Sequence, residues 1–105
     1  MTSRDEKMQE ALCHAAAEFL SREAGRQSLI TVTRAELSED HSRGVIYLSV
    51  YPESAEDAAL EFANRNRGEF GKYFESRVRG MRVPHVEFKP DLGEKNRQRL
   101  DELTK

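Results

Sequence analysis

The chain has 105 residues, of which 37% are hydrophobic and 34% charged, and its formal net charge is −2. That length fits one domain, 1–105, with a modest core, and the slightly acidic balance means that a nucleic-acid footprint has to come from local segregation of charge. The single cysteine, Cys13, excludes a disulfide framework and a cysteine-built metal site. No apolar run approaches the roughly 18 residues of a membrane span, and residues 1–7 lack the apolar core of a signal peptide, so a reducing, cytoplasmic setting is expected.

From about Asp5 to Glu23 the pattern predicts a helix, because Met8, Leu12, Ala15, Ala16, Phe19 and Leu20 recur at three- and four-residue spacing and share a face. Gly25 is its expected stop. β-forming residues follow from Ser28 to Leu37. Ile30 and Val32 have one parity and Ala35 and Leu37 the other, which requires a bulge or a departure from the sheet. Arg43 to Tyr51 alternates cleanly, with Ile46, Leu48 and Val50 on one face. The polar run Ser38 to Ser42 makes the pair an antiparallel hairpin.

After Pro52, Ser54 or a neighbour is expected to cap a helix with Glu56 and Asp57 in its first turn, and with Ala55, Ala58, Ala59, Phe62 and Ala63 as its apolar face. A break is expected at Gly68. A second helix follows, faced by Phe70, Tyr73, Phe74, Val78 and Met81, whose helical spacing assigns the aromatic residues to the core. Pro84 to Lys89 alternates as a short strand with Val86 and Phe88 inward. The tail from about Asp91 is charged and frays, with a short helix near its end. The order helix-strand-strand-helix-helix-strand makes an α+β domain: a three-stranded sheet with its helices on one face and a mostly polar opposite face.

Between Asn64 and Lys89, Lys and Arg outnumber Asp and Glu by about four. Arg65, Arg67, Lys72, Arg77, Arg79, Arg82 and Lys89 are therefore the candidate RNA-binding residues, since cations neutralise phosphates and the planar Arg fork suits phosphate and base edges. The plain alternative is a solvated helix face with local pairs such as Glu69 with Lys72 and Glu75 with Arg79. Catalysis finds no support. Cys13 and His14 point about 100° apart on a helix, His41 and His85 lack a paired nucleophile, and no zinc-protease, phosphate-loop, nucleophile-elbow or dinucleotide motif occurs. No metal or cofactor is implied.

The element order resembles the type II KH arrangement of RNA-binding modules, and four stretches are similar to the ribosome-binding factor A family of bacterial small-subunit maturation factors. LITVTRAELSED (Leu29 to Asp40) is similar to its first strand and turn, and GVIYLSVY (Gly44 to Tyr51) to its second strand. RVRGMRVPHVEF (Arg77 to Phe88) is similar to its basic helix end and last strand, and LDELTK (Leu100 to Lys105) to its closing helix. The resemblance implies a KH-like fold and a non-catalytic protein, monomeric when free. Its implied partners are the small ribosomal subunit and the 16S rRNA, near the 5′-terminal region, during late maturation and processing.

The family has an Ala-x-Gly kink where KH domains have a Gly-x-x-Gly loop. The matching residues here are Asn66, Arg67 and Gly68, with Asn in place of Ala. Asn tolerates the left-handed region and bonds its own backbone, so a kink is still expected. Gly68-Glu69-Phe70-Gly71 also spells Gly-x-x-Gly, although Glu69 would repel a phosphate. Arg4 and Lys7 are diluted by Asp5, Glu6 and Glu10, which argues against RNA contact by the first helix. The rival reading is a small α+β protein-interaction module that uses its acidic remainder or its open sheet face.

Overall fold

The structure is a computed structural model that describes residues 4–23 and 28–93. Its elements are α1 (Arg4–Glu23), β1 (Leu29–Leu37), β2 (Arg43–Tyr51), a 3-10 turn (Glu53–Ala55), α2 (Glu56–Arg65), α3 (Arg67–Arg77) and β3 (His85–Pro90). The sheet has three strands in the order β1-β2-β3, with β1 antiparallel and β3 parallel to β2. The expected α+β, KH-like architecture is therefore present. The proposed stop at Gly25 and the tail helix lie outside the described residues.

All six apolar residues read from the first helix are buried: Met8, Leu12, Ala15, Ala16, Phe19 and Leu20. They meet Ala35, Ile46, Leu48, Val86 and Phe88 of the sheet and Ala63, Phe70 and Phe74 of the helix pair in one cluster. Phe70 lies at its centre, with ring centroids 5.7 Å from Phe19, 6.2 Å from Phe74 and 5.8 Å from Phe88. Such offset and edge-on ring contacts add to the stabilisation that burial provides.

The parity conflict in β1 is resolved by a bulge. The register passes from Val32 opposite Leu48 to Arg34 opposite Tyr47, leaving Thr33 as the extra residue. Ile30, Val32, Ala35 and Leu37 consequently all face the core side. The Thr33 hydroxyl donates to Asp91 Oδ2 at 2.5 Å and lies 3.3 Å from the Tyr47 carbonyl. The Asp91 amide donates to Leu48 O at 2.9 Å. One buried carboxylate thus ties the bulge to the chain leaving β3.

The Asp40 carboxylate organises the hairpin loop. Its Oδ1 accepts from the Ser38 hydroxyl (2.8 Å), the Ser42 hydroxyl (2.7 Å) and the Ser42 amide (3.1 Å). These bonds, the Ser42 hydroxyl first, hold the group at about 2, below its ordinary 3.8. A depressed carboxyl stabilises the fold fully above its unfolded value, and that contribution is lost as pH falls through the folded one. The Asp40 carboxyl is therefore expected to titrate near pH 2 in a carbon-detected NMR series, and Ser42→Ala to move its midpoint up toward 3.8. A wild-type midpoint near 3.8 would show that the loop bonds are not formed in solution.

Two local expectations are corrected. Ser54 does not cap α2: the helix follows directly from the 3-10 turn, its N-cap is Ala55, and no side chain bonds that cap. Ala58, assigned to the apolar face, is exposed, and the helix packs through Ala59 and Ala63.

Candidate nucleic-acid interface

The helix pair breaks at Asn66, the first residue of the expected Asn66-Arg67-Gly68 kink, while Gly68, where glycine alone suggests the break, lies inside α3. Asn66 has φ −100° and ψ 19°, in the bridge region between helix and strand and away from the left-handed conformation expected of it. Its side chain secures the bend by donating to Phe62 O at 2.8 Å, and its amide is shared between Phe62 O (3.1 Å) and Ala63 O (3.2 Å). Its carbonyl accepts from the Phe70 amide at 2.9 Å and so starts the next helix. An Asn thus makes the kink through its amide group, without a glycine's conformational freedom.

Gly68-Glu69-Phe70-Gly71 is helical, with Phe70 fully buried, so it is no phosphate loop. The two glycines matter for another reason. Three residues apart, they share one face of α3, and a Cβ on either would meet nothing within 4 Å. That bare face is one wall of a groove of about 540 Å³, whose other lining includes Asn64, Arg65, Arg67 and residues 83–86. Gly in a helix interior costs roughly 0.8–1 kcal/mol against Ala, and what this pair leaves in return is an open groove.

Two arginines stand at its rim. Arg65 is exposed and reaches Glu61 only at 3.9 Å, a contact worth little in water. Arg67 is exposed, and its Nε donates to Asn64 O at 3.0 Å, which fixes the guanidinium beside the kink. Asn64 holds the opposite wall: its amide donates to Phe88 O at 3.0 Å and its carbonyl accepts from Phe88 N at 2.8 Å.

The remaining candidates are distributed over the surface. α3 ends at Arg77, with Val78 already extended at φ −122° and ψ 106°. Arg79 and Arg82 therefore sit on the connector to β3, which turns at Gly80 (φ 81°), and not on a helix face as the spacing suggested. Among the described residues neither forms an ion pair, and the expected Glu75–Arg79 pair is absent because Arg79 lies beyond the helix. Lys72 pairs with Glu69 at 3.6 Å, as expected. Arg77 is engaged: Glu18 of α1 accepts from its guanidinium at 2.8 Å and from the Tyr73 hydroxyl at 2.6 Å. Those two bonds, Tyr73 first, lower the Glu18 carboxyl, so Arg77 serves as a link between α1 and α3. Lys89 is exposed on the open sheet face in register with Tyr47, away from the groove.

Some participants carried no sequence signal. Asn64 read as one more polar residue on a helix. Arg22 of α1 lies 5.8 Å above the Tyr73 ring and lines a cleft of about 290 Å³ with Lys72 and Ser76. On the open face Arg34 stacks 3.9 Å from the Tyr47 ring and pairs with Glu36. Burial raises the half-buried Cys13 thiol, which keeps it protonated and inert. Among the described residues no group of three or more His, Cys, Asp and Glu could hold a metal, and no helix is long and apolar enough to cross a membrane.

Residues 4–104 match the family described as ribosome-binding factor A. This chain belongs to that family. Ribosome-binding factor A of Fervidobacterium nodosum is 30% identical over 78 residues, which is 73% of this chain and 62% of that protein. The chain thus spans about three fifths of that relative's length. The crystal structure of ribosome-binding factor A from Thermus thermophilus superposes with a TM-score of 0.73 at 28% identity, over 84% of this chain and 97% of that one. A Thermus thermophilus homology model of ribosome-binding factor A, fitted into the cryo-electron-microscopy map of a 30S complex, gives 0.67 at 30% identity, over 77% and 88% of the two chains.

Proposed function

We propose that the chain binds the small ribosomal subunit through its 16S rRNA and assists late maturation of that subunit by binding alone. The observation that carries the RNA grip is the groove beside Asn66, floored by Pro84 and Val86, walled by Gly68 and Gly71, and rimmed by Arg65 and Arg67. Bare helix and exposed guanidinium groups suit an unpaired RNA strand: the cations take phosphates, and the missing side chains leave room for the strand. Arg79 and Arg82 continue the positive charge along the connector, and Lys72, Arg77 and Lys89 flank it from other faces. Membership of the ribosome-binding factor A family, together with a relative placed in a 30S complex, supplies the ribosomal partner.

The glycine pair gives a direct test. Gly68→Ala with Gly71→Ala is expected to raise stability by up to about 2 kcal/mol, because each methyl enters open space on a helix. In the complex the same methyls meet the strand, and overpacking of about 1–3 kcal/mol weakens affinity roughly tenfold or more. Denaturant unfolding gives the first quantity and co-sedimentation with isolated small subunits the second. A more stable double variant that binds undiminished would remove RNA from this groove.

A further inference from the structure

A second concavity, of about 650 Å³, lies on the far side of the connector. Met8 of α1, Met81 and Val83 form its apolar part, and Asp40, His41, Ser42, Gly80 and Arg82 its polar part. Its walls are tied together. The His41 ring bonds Asp5 of α1, the His85 amide donates to Ser42 O at 2.9 Å, and the Asp40 carboxylate holds the loop. Val83 lines both this pocket and the groove beside Asn66. The two are therefore neighbours along the connector, and a strand leaving the groove past Val83 reaches the pocket mouth.

We propose that this pocket takes one unpaired base of the same RNA, with Arg82 on the adjoining phosphate; the inference rests on the RNA reading above. The chemistry matches. Methionine thioethers and an adjacent valine make a polarisable apolar floor for an aromatic face, and the volume lies in the range of small-ligand sites, about 300–1,000 Å³. The Asp40 carboxylate lines the pocket and, ionised, accepts from a base N–H. Arg82 and Arg79 supply positive charge, against which Asp40 is the one lining carboxylate, and Asp5 is engaged by His41.

Ultraviolet cross-linking of the unaltered protein to isolated small subunits tests this, with cross-linked peptides identified by mass spectrometry and the nucleotide by its reverse-transcription stop. Peptides containing residues 40–42 or 80–83 are expected to carry an rRNA adduct. Met81→Asp, its fold checked by circular dichroism, is expected to bind roughly tenfold or more weakly, as a charge placed on the apolar floor excludes the base. Adducts confined to residues 64–71, with Met81→Asp binding unchanged, would overturn the pocket and leave the groove intact. Weakened Met81→Asp binding with no adduct at the pocket would give it to a protein side chain and overturn the nucleotide. Absence of any rRNA adduct would overturn both readings.

Discussion

Replacing Phe70 with alanine is expected to destabilise the protein by about 3–5 kcal/mol, the range for deleting a fully buried phenylalanine. The ring has no exposed surface and contacts Phe19 of α1, Phe74 of its own helix and Phe88 of β3. It joins three elements. A domain of this size has about 5–15 kcal/mol in total, so the variant sits close to the unfolding threshold, with a midpoint lower by roughly 15–30 °C. Phe70→Leu, which keeps most of the volume, is expected to lose far less. Urea unfolding at 25 °C decides it. A loss below 1 kcal/mol would mean that Phe70 is not the centre of the core.

Replacing Arg65, Arg67 and Arg82 together with alanine is the largest effect expected on binding. Each guanidinium on a single-stranded phosphate contributes roughly 0.7 to the slope of log affinity against log salt, so the triple variant is expected to lose about two units of slope. Charge-assisted hydrogen bonds contribute about 1.5–3 kcal/mol each, which makes the affinity loss roughly a thousandfold or more. Arg34→Ala serves as the comparison, because Arg34 lies on the open sheet face. A wild-type affinity insensitive to salt, or a loss confined to Arg34→Ala, would favour the protein-interaction reading over RNA. Arg77 is left out of the set because its removal also breaks the bond to Glu18 that joins α1 to α3.

How much of this was legible in the sequence divides by physical cause. Apolar periodicity reports burial directly, so the face of α1 and the strand parities are legible in the spacing, which leaves β1 a choice between a bulge and a departure from the sheet; the register decides it and places the bulge at Thr33. The kink is expected across Asn66, Arg67 and Gly68, and the bend falls at the first of these. It depends on the Asn66 side chain bonding the Phe62 carbonyl four residues back, a local contact of the kind that Asn commonly makes. The end of α3 at Arg77 was missed. Val78 and Met81 continue the apolar spacing, yet the positive φ at Gly80 turns the chain back toward β3. The basic residues were correctly seen as a cluster in sequence, but distance along the chain did not say that Lys89 faces away from Arg65. Asn64 was invisible, since a polar residue at a helix end has many uses and only the fold chooses one.

The pairing of Asn64 with Phe88 has a consequence for how the sheet meets other molecules. β3 is an edge strand, and such edges invite a further strand from another chain. The amides of His85 and Asp91 point inward to β2, so by alternation Val86, Phe88 and Pro90 present their backbone outward. Phe88 is sealed by the Asn64 side chain, and Pro90 has no N–H to offer. Among the described residues of this border, Val86 keeps an outward N–H and carbonyl and Pro90 an outward carbonyl. One donor beside two acceptors is a poor template for a ladder. A side chain on the neighbouring helix thus blunts the β3 edge against pairing with a further strand.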